Sequence, residues 1–218
     1  MSASRLAAFT SCELSDALLK LKVSTGGFLP GIQLRSSGTI CAPAYTVQMV
    51  LSSDTTAPKL SEHFVDTAPA GAAIVIDVPA QQANAVWGGL MTAGAMARSA
   101  VGVVISGRCR DIGEHRALGF PVYARGPSTL GQSPFTRPAA VNVPLTITPP
   151  PDYAFPSVTV HPGDFIIADE DGVVVVPRAM EDAVADKAAE GRAIDANCLR
   201  DIQAGKGIQA TFAKYRGK

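Results

Sequence analysis

The chain has 218 residues, enough for one large α/β domain with a substantial core. Apolar residues make up 47% and charged residues 17%, which excludes a disordered chain and leaves apolar surface for contacts between subunits. The 19 Lys and Arg balance the 19 Asp and Glu, so no net field draws the protein to nucleic acid or to a membrane, and neither is expected as a partner.

The first twenty residues carry Glu13 and Asp16 and hold no unbroken apolar stretch, which fits neither a secretory signal nor a transmembrane helix. Within them Ser11 to Leu21 reads as a helix, capped by Ser11, with Leu14, Leu18, Leu19 and Leu21 at helical spacing and Gly26-Gly27 beyond its end. Thr39 to Leu51 is rich in Val, Ile, Tyr and Thr and reads as a strand, with Pro43 placing its early part at an edge or bulge. A short helix is expected around Leu60 to Val65.

From Ala72 onward short apolar strands alternate with small-residue helices, the pattern of an α/β layer structure. Ala73 to Val78 reads as a buried strand, Leu90 to Ser99 as a helix opened by Gly88-Gly89, and Val101 to Ile105 as the next buried strand. That strand runs into Gly107-Arg108-Cys109-Arg110-Asp111, and catalytic residues gather where such strands end. Pro121 to Tyr123 is a further strand, Gly126 to Pro138 a loop, and Asn142 to Thr148 a strand stopped by Pro149-Pro150-Pro151. Phe165 to Ala168 and Val173 to Val176 form a hairpin across Asp169-Glu170-Asp171-Gly172. That acidic turn looks like the start of a calcium loop, but Val174 stands where an EF-hand needs glycine. A helical extension covers about 179–218. The expected fold is a single layered α/β sandwich with a mixed central sheet and C-terminal helices.

Cys12, Cys41, Cys109 and Cys198 are scattered with no C-x-x-C pair, which suits free thiols in a reducing compartment. Tyr215-Arg216-Gly217-Lys218 is no peroxisomal or retention signal, so the expected address is the cytoplasm.

One constellation carries chemistry. Gly88-Gly89-Leu90-Met91 and Arg110-Asp111-Ile112-Gly113-Glu114 are set so that twenty residues separate Gly89 from Arg110. A strand and a helix fill that interval and return both ends to one sheet edge. The glycine pair lets backbone approach a ligand, and the free amides of Leu90 and Met91 favour a carboxylate. Arg110 offers a planar fork for a carboxylate and an adjacent keto oxygen. Asp111 is a hard oxygen ligand, and Glu114 shares its face if a helical turn begins at Asp111, so both suit one hydrated Mg²⁺ or Mn²⁺. An anion cradle, a guanidinium and a divalent cation together suit a developing enolate.

A wider set of stretches surrounds this one: Ala85-Val86-Trp87-Gly88-Gly89-Leu90, Gly102-Val103-Val104, Arg110-Asp111, Leu118-Gly119-Phe120-Pro121-Val122, Val141-Asn142-Val143-Pro144, Pro162-Gly163-Asp164 and Asp171-Gly172-Val173-Val174-Val175-Val176-Pro177. With them the sequence resembles the RraA-like family over 72–185, and less closely at Ser15-Asp16-Ala17-Leu18 and Ala42-Pro43-Ala44-Tyr45-Thr46-Val47. That family includes 4-hydroxy-4-methyl-2-oxoglutarate aldolases and oxaloacetate decarboxylases. The aldolase signature of Gly, twenty residues, Arg-Asp, two residues and an acid is complete here as Gly89, Arg110, Asp111 and Glu114. The resemblance implies a swivelling-domain type of fold and a metal-dependent lyase that cleaves a C–C bond of a 2-oxo acid through a pyruvate enolate. It further implies that the loop amides of Gly88, Gly89, Leu90 and Met91 hold a pyruvate-like group together with Arg110. Asp111 would bind the metal, Glu114 its water shell, and trimers or stacked hexamers would carry sites between subunits.

Departures from the family pattern fall at Val78-Pro79-Ala80-Gln81-Gln82, at Ser106, at Arg108 and Cys109, and at Thr148 to Pro156. Two rival readings follow: a non-catalytic binding protein that regulates a ribonuclease or helicase, against which Glu114 argues, and the same enolate chemistry on a specialised biosynthetic substrate. His63, His115 and His161 are unclustered, with His115 the first to consider because it follows Glu114. Trp87 is read as core before pocket wall.

Overall fold

The computed structural model describes residues 4–217; the remainder of the two ends weighed above for targeting signals, Met1 to Ala3 and Lys218, lies outside them. A short 3₁₀ turn at Arg5–Ala8 leads into α1 (Ser11–Lys20). Thr10, in extended conformation, is the cap: its hydroxyl accepts from the Glu13 amide at 3.2 Å while Glu13 accepts from the Thr10 amide at 2.8 Å. Ser11, expected as the cap, is already helical. Its amide and hydroxyl donate instead to Asp169, at 2.7 and 2.6 Å.

The strands that follow are β1 (Gln33–Leu34), β2 (Ile40–Leu51), β3 (Ala73–Asp77), β4 (Ala85–Trp87), β5 (Gly102–Cys109), β6 (Val122–Pro127), β7 (Thr136–Val141), β8 (Leu145–Ile147), β9 (Val158–Val160), β10 (Phe165–Asp169) and β11 (Gly172–Val176). Between them lie α2 (Gly89–Ala97) and α3 (Ile112–Leu118), and after them α4 (Glu181–Gln203) and α5 (Ile208–Arg216). The main sheet runs β1-β6-β5-β3-β2-β10-β11. β2, β3, β5 and β6 are parallel neighbours, β4 adds in parallel to β5, and the other pairings are antiparallel. Buried on both faces, β3 and β11 read as unbroken apolar runs.

The sheet comes almost round on itself. Gly27 and Leu29 bond across to β11, Leu29 donating to Val173 O and Val175 to Gly27 O, each at 2.9 Å. The chain then enters β1 and pairs with β6 at the opposite edge. Gly27 permits this closure, since it has φ +69° and a Cβ there would lie 2.3 Å from Val175 O.

Three apolar layers result. Inside the curved sheet, Val75, Val104, Tyr123, Ile166, Val173 and Val175 pack under the β8–β9 ribbon. On its outer face Ile74, Ile76, Val103 and Ile105 meet Trp87, Phe64, Phe120 and Ala95 of α2. Leu14 and Leu18 of α1 and Val184 and Ala188 of α4 cover β10 and β11. Each of those fully buried leucines contributes roughly 1.5–3 kcal/mol by burial.

Several expectations need correction. The segment 60–65 forms no helix; it is held in turns by Tyr45 Oη against Thr67 and by Arg137, which donates to the carbonyls of Ala57 and Pro58. β5 continues four residues past Ile105 because β4, an unanticipated strand, pairs alongside Arg108 and Cys109. The expected loop at 126–138 is shortened at both ends, by β6 and by β7. The expected strand at 142–148 shrinks to β8 because Asn142 turns left-handed, at φ +53°. β1 and β9 had no recognisable pattern. Pro43 does sit in the part of β2 that pairs with β10 alone, since β3 begins opposite Ala44. The hairpin across Asp169 and Gly172 and the C-terminal helices stand as expected. All four cysteines are free. No helix among the described residues is long and apolar enough to cross a membrane.

Arg192 of α4 clamps Glu13 at 2.5 and 2.6 Å and stacks over Phe9, fastening α4 to the N-terminal segment. The clamp, with help from the Thr10 amide, holds the Glu13 carboxyl down at about 2. A depressed carboxylate stabilises the fold fully above its unfolded value near 4.5 and loses that contribution as pH falls through about 2. Glu13→Gln is therefore expected to flatten the fall in melting temperature between those pH values. Parallel curves for wild type and variant would remove the clamp from the account.

Candidate active site

β4 and β5 end side by side. The Arg110 amide donates to Trp87 O at 2.9 Å, which joins the loop opening α2 to the loop opening α3. Asp111 then takes the left-handed conformation, φ +60° and ψ +38°, which Asp tolerates better than most residues. Its carbonyl accepts from the amides of Glu114 and His115, so α3 starts directly after it. The helical turn expected to begin at Asp111 thus begins one residue later.

The backward turn aims the Asp111 carboxylate at the start of α2, where Oδ2 accepts from the Gly89 amide at 2.9 Å. Arg110 Nε lies 3.6 Å from the same oxygen. Glu114 folds over the same glycines. A Cβ built on Gly89 would fall 1.6 Å from Glu114 Oε2, and one on Gly88 2.6 Å from Asp111 Oδ2. Two carboxylates therefore press against adjacent glycines, where an added Cβ would push each of them aside. The far end of Arg110 lies over Gly131, whose Cβ would be 3.2 Å from Nη1.

A cleft of about 290 Å³ opens here, lined by Gly88, Gly89, Leu90, Met91, Arg110 and Asp111 among others. Glu114 is not on its wall but behind the glycines. The cradle differs from expectation in one respect, because the Gly89 amide is already taken by Asp111. The amides of Leu90 and Met91 remain, in the first turn where a helix provides no acceptor; the first intrahelical bond runs from Thr92 to Gly88 O.

Beside β4, whose Ala85, Val86 and Trp87 also form its wall, the cleft is lined by His63, Gln132 and Ser133, which the sequence did not assign to it. They arrive from distant loops with no spacing signal. His63, not His115, is the histidine at the cleft; its ring stacks on Phe64 and its Nδ1 accepts from the Val65 amide. His115 is fully buried, 3.0 Å from the Thr92 hydroxyl, and burial pushes its pKa down. Thr92 in turn accepts from the Trp87 indole at 2.8 Å, so these side chains form a polar thread under the cleft floor. His161 lies in the turn before β10, where its amide bonds to Asp164. Cys109, at the end of β5, is buried, and its thiol is pushed up to about 11. Among the described residues no three His, Cys, Asp or Glu side chains gather as a closed metal cage.

Comparison with known proteins places these features in context. The family model described as RraA-like, Aldolase/RraA, matches residues 11–175. Protein DlpA of Legionella pneumophila is 30% identical over 206 residues, 94% of this chain, although this chain spans only 32% of that protein. A Halalkalibacterium halodurans protein provisionally named a 4-hydroxy-4-methyl-2-oxoglutarate aldolase is 34% identical over 186 residues, 85% of this chain and 80% of its own length. An uncharacterized Pseudomonas syringae protein of known structure superposes with a TM-score of 0.80 at 28% identity, covering 95% of this chain and 94% of that one. Streptomyces coelicolor RraAS2, described as an unusual member of the RNase ES inhibitor RraA family, gives 0.75 at 22% identity over 88% and 92% of the two chains, a likeness of fold.

Proposed function

The chain belongs to the RraA-like family, described as Aldolase/RraA, and on that premise we propose that its cleft is the active site of a divalent-metal-dependent lyase acting on 2-oxo acids. The observation that carries this reading is the convergence of Arg110, Asp111 and Glu114 on the Gly88-Gly89 backbone. The substrates proposed are 4-hydroxy-4-methyl-2-oxoglutarate and related 4-hydroxy-2-oxo acids, or oxaloacetate; cleavage of each leaves the enolate of pyruvate.

The donor set fits a hard cation. Asp111 on the cleft wall and Glu114 against the neighbouring glycine offer oxygen donors without a closed cage, which suits Mg²⁺ or Mn²⁺ with water completing the shell. Asp111 would hold it and Glu114 would support its water shell, and its chemistry when bound is Lewis-acid stabilisation of charge on the keto oxygen.

The chain's own residues account for the rest of the proposed arrangement. Arg110, half-exposed and facing the cleft, holds the substrate carboxylate and keto oxygen in its fork and so fixes the scissile bond. The Leu90 and Met91 amides take part of the carboxylate charge. As the bond breaks, charge grows on the keto oxygen, where Arg110 interacts more strongly than with the ground state. Leu90, 84% exposed at the lip of the cleft, supports a homotrimer or hexamer in which a neighbouring subunit covers the site.

The test is pyruvate release from both substrates with Mg²⁺ or Mn²⁺ and with chelator, with light scattering on the same sample. Metal-dependent turnover by an oligomer is expected. Silence from folded, metal-supplied protein would sink both proposed substrates and leave a binding role or a specialised substrate, and a monomer would sink the shared site.

A further inference from the structure

The inner face of the curved sheet changes character at one end. Side chains alternate along a strand, so Val75 and Asp77 of β3, Val104 and Ser106 of β5, and Tyr123 and Arg125 of β6 share that face, and Arg108, past a register shift in β5, lines the same space. The apolar members lie in the inner core, whereas the polar ones gather at the carboxyl ends of these three parallel strands. There they line a cavity of about 740 Å³ at the mouth of the nearly closed sheet, walled also by residues 78–82 and 148–153. No residue lining this cavity lines the cleft: Gly107 and Arg108 face one, Arg110 and Asp111 the other. Both are places where ligands commonly sit, at the carboxyl edge of parallel strands and in the mouth of a barrel.

The cavity's lining carries two guanidiniums, Arg108 and Arg125, and two carboxylates, Asp77 and Asp152, set apart from one another. Ser106, buried, donates to Asp77 Oδ1 at 2.7 Å and accepts from the Val78 amide at 2.9 Å, which sets the carboxyl in place. Arg125 donates from Nη2 to Thr148 O, yet its Nε is buried with no hydrogen-bond partner. Arg108 crosses Gly126 and donates from Nη1 to Pro127 O at 3.1 Å; a Cβ on Gly126 would lie 2.9 Å from that nitrogen. Among the described residues neither guanidinium has a carboxylate within 4.0 Å. Burial pushes the Arg125 pKa down and the Asp77 pKa up, and the attraction between the two charges offsets this only in part. A buried charged donor left unmade is costly, so the Arg125 guanidinium at the cavity wall is not fully satisfied by the protein alone.

We propose that this cavity binds a small organic oxyanion, a carboxylate or phosphate ester with an adjacent hydroxyl. Arg108 and Arg125 receive the oxyanion, and Asp77, set by Ser106, accepts from the hydroxyl. An anion with no donor would meet the Asp77 carboxylate unfavourably, which is why a hydroxylated ligand fits better than a bare one. The assignment rests on no part of the lyase reading.

Calorimetric titration of the full chain, with chelator present, tests it using glycerol 3-phosphate, L-malate and inorganic phosphate in turn. One of the first two is expected to bind with Kd below about 1 mM. Arg125→Gln and Arg108→Gln should each weaken that binding by about tenfold or more, and Arg110→Ala should leave it in place. Asp77→Asn should narrow the preference for the hydroxylated ligand over inorganic phosphate. Arg108 is exposed, so its variant keeps the test valid if the Arg125 variant melts. Binding of glycerol 3-phosphate assigns a phosphate ester, and binding of malate a carboxylate. No heat with any of the three, binding of inorganic phosphate alone, or binding lost in Arg110→Ala and kept in Arg108→Gln would each overturn the proposal.

Discussion

Replacing Arg110 by alanine is expected to lower kcat/KM for pyruvate release by about 100- to 1000-fold while leaving the melting temperature close to wild type. The side chain is 47% exposed and contributes nothing to the three core layers, so its removal opens no buried cavity. Its proposed work is to hold the substrate and, more strongly, the transition state, where charge on the keto oxygen is largest. Asp111→Asn is the sharper companion. Asparagine keeps an acceptor for the Gly89 amide and tolerates the left-handed backbone at φ +60°, so it removes the charge and little else. A drop of similar size that added metal does not rescue is expected. Asp111→Ala is less informative, because it also strips the start of α2 of its acceptor. Kinetics of either variant within about threefold of wild type would place the chemistry elsewhere, since removing a transition-state donor costs far more than that.

Trp87→Ala is expected to lower unfolding free energy by roughly 3–5 kcal/mol, read from urea titration. The indole is only 2% exposed, stacks parallel to Phe120 at 6.3 Å and meets Phe64 at 6.4 Å. It also donates to Thr92, the middle of the polar thread that ends at His115. Alanine would leave a large void and take away one of the Thr92 hydroxyl's two partners. Trp87→Phe retains most of the apolar contact and forfeits the donor, so its cost should be nearer 1 kcal/mol. Because Trp87 immediately precedes Gly88, the alanine variant is also expected to loosen the cleft and raise KM for the 2-oxo acid. A stability loss under about 1 kcal/mol would show that the outer layer repacks freely around the site.

The elements that local pattern could announce were legible in the chain. β3 and β11 are apolar runs bounded by turn residues, the hairpin around Glu170 and Asp171 has a polar two-residue turn, and α1 carries leucines at helical spacing. The glycine pair and the Arg-Asp dipeptide were legible too, because their spacing reflects one helix and one strand between them. Other features were not. β4 has three residues, too few for any period to register, yet it extends β5 and brings Trp87 O to the Arg110 amide. Ser11 looked like a cap because serine commonly is one; Thr10 takes that place since Asp169, far along the chain, claims Ser11.

By itself, then, the sequence determined the kind of layers this protein builds and the residues that meet at the glycine pair, because both depend on neighbours along the chain. Only the tertiary structure decided that His63 and not His115 faces the cleft, that Asp111 caps Gly89, and that Asp77, Ser106, Arg108 and Arg125 converge at a second cavity. Those outcomes depend on which strand ends meet when the sheet curls, a balance of long-range pairing and burial that local spacing does not encode.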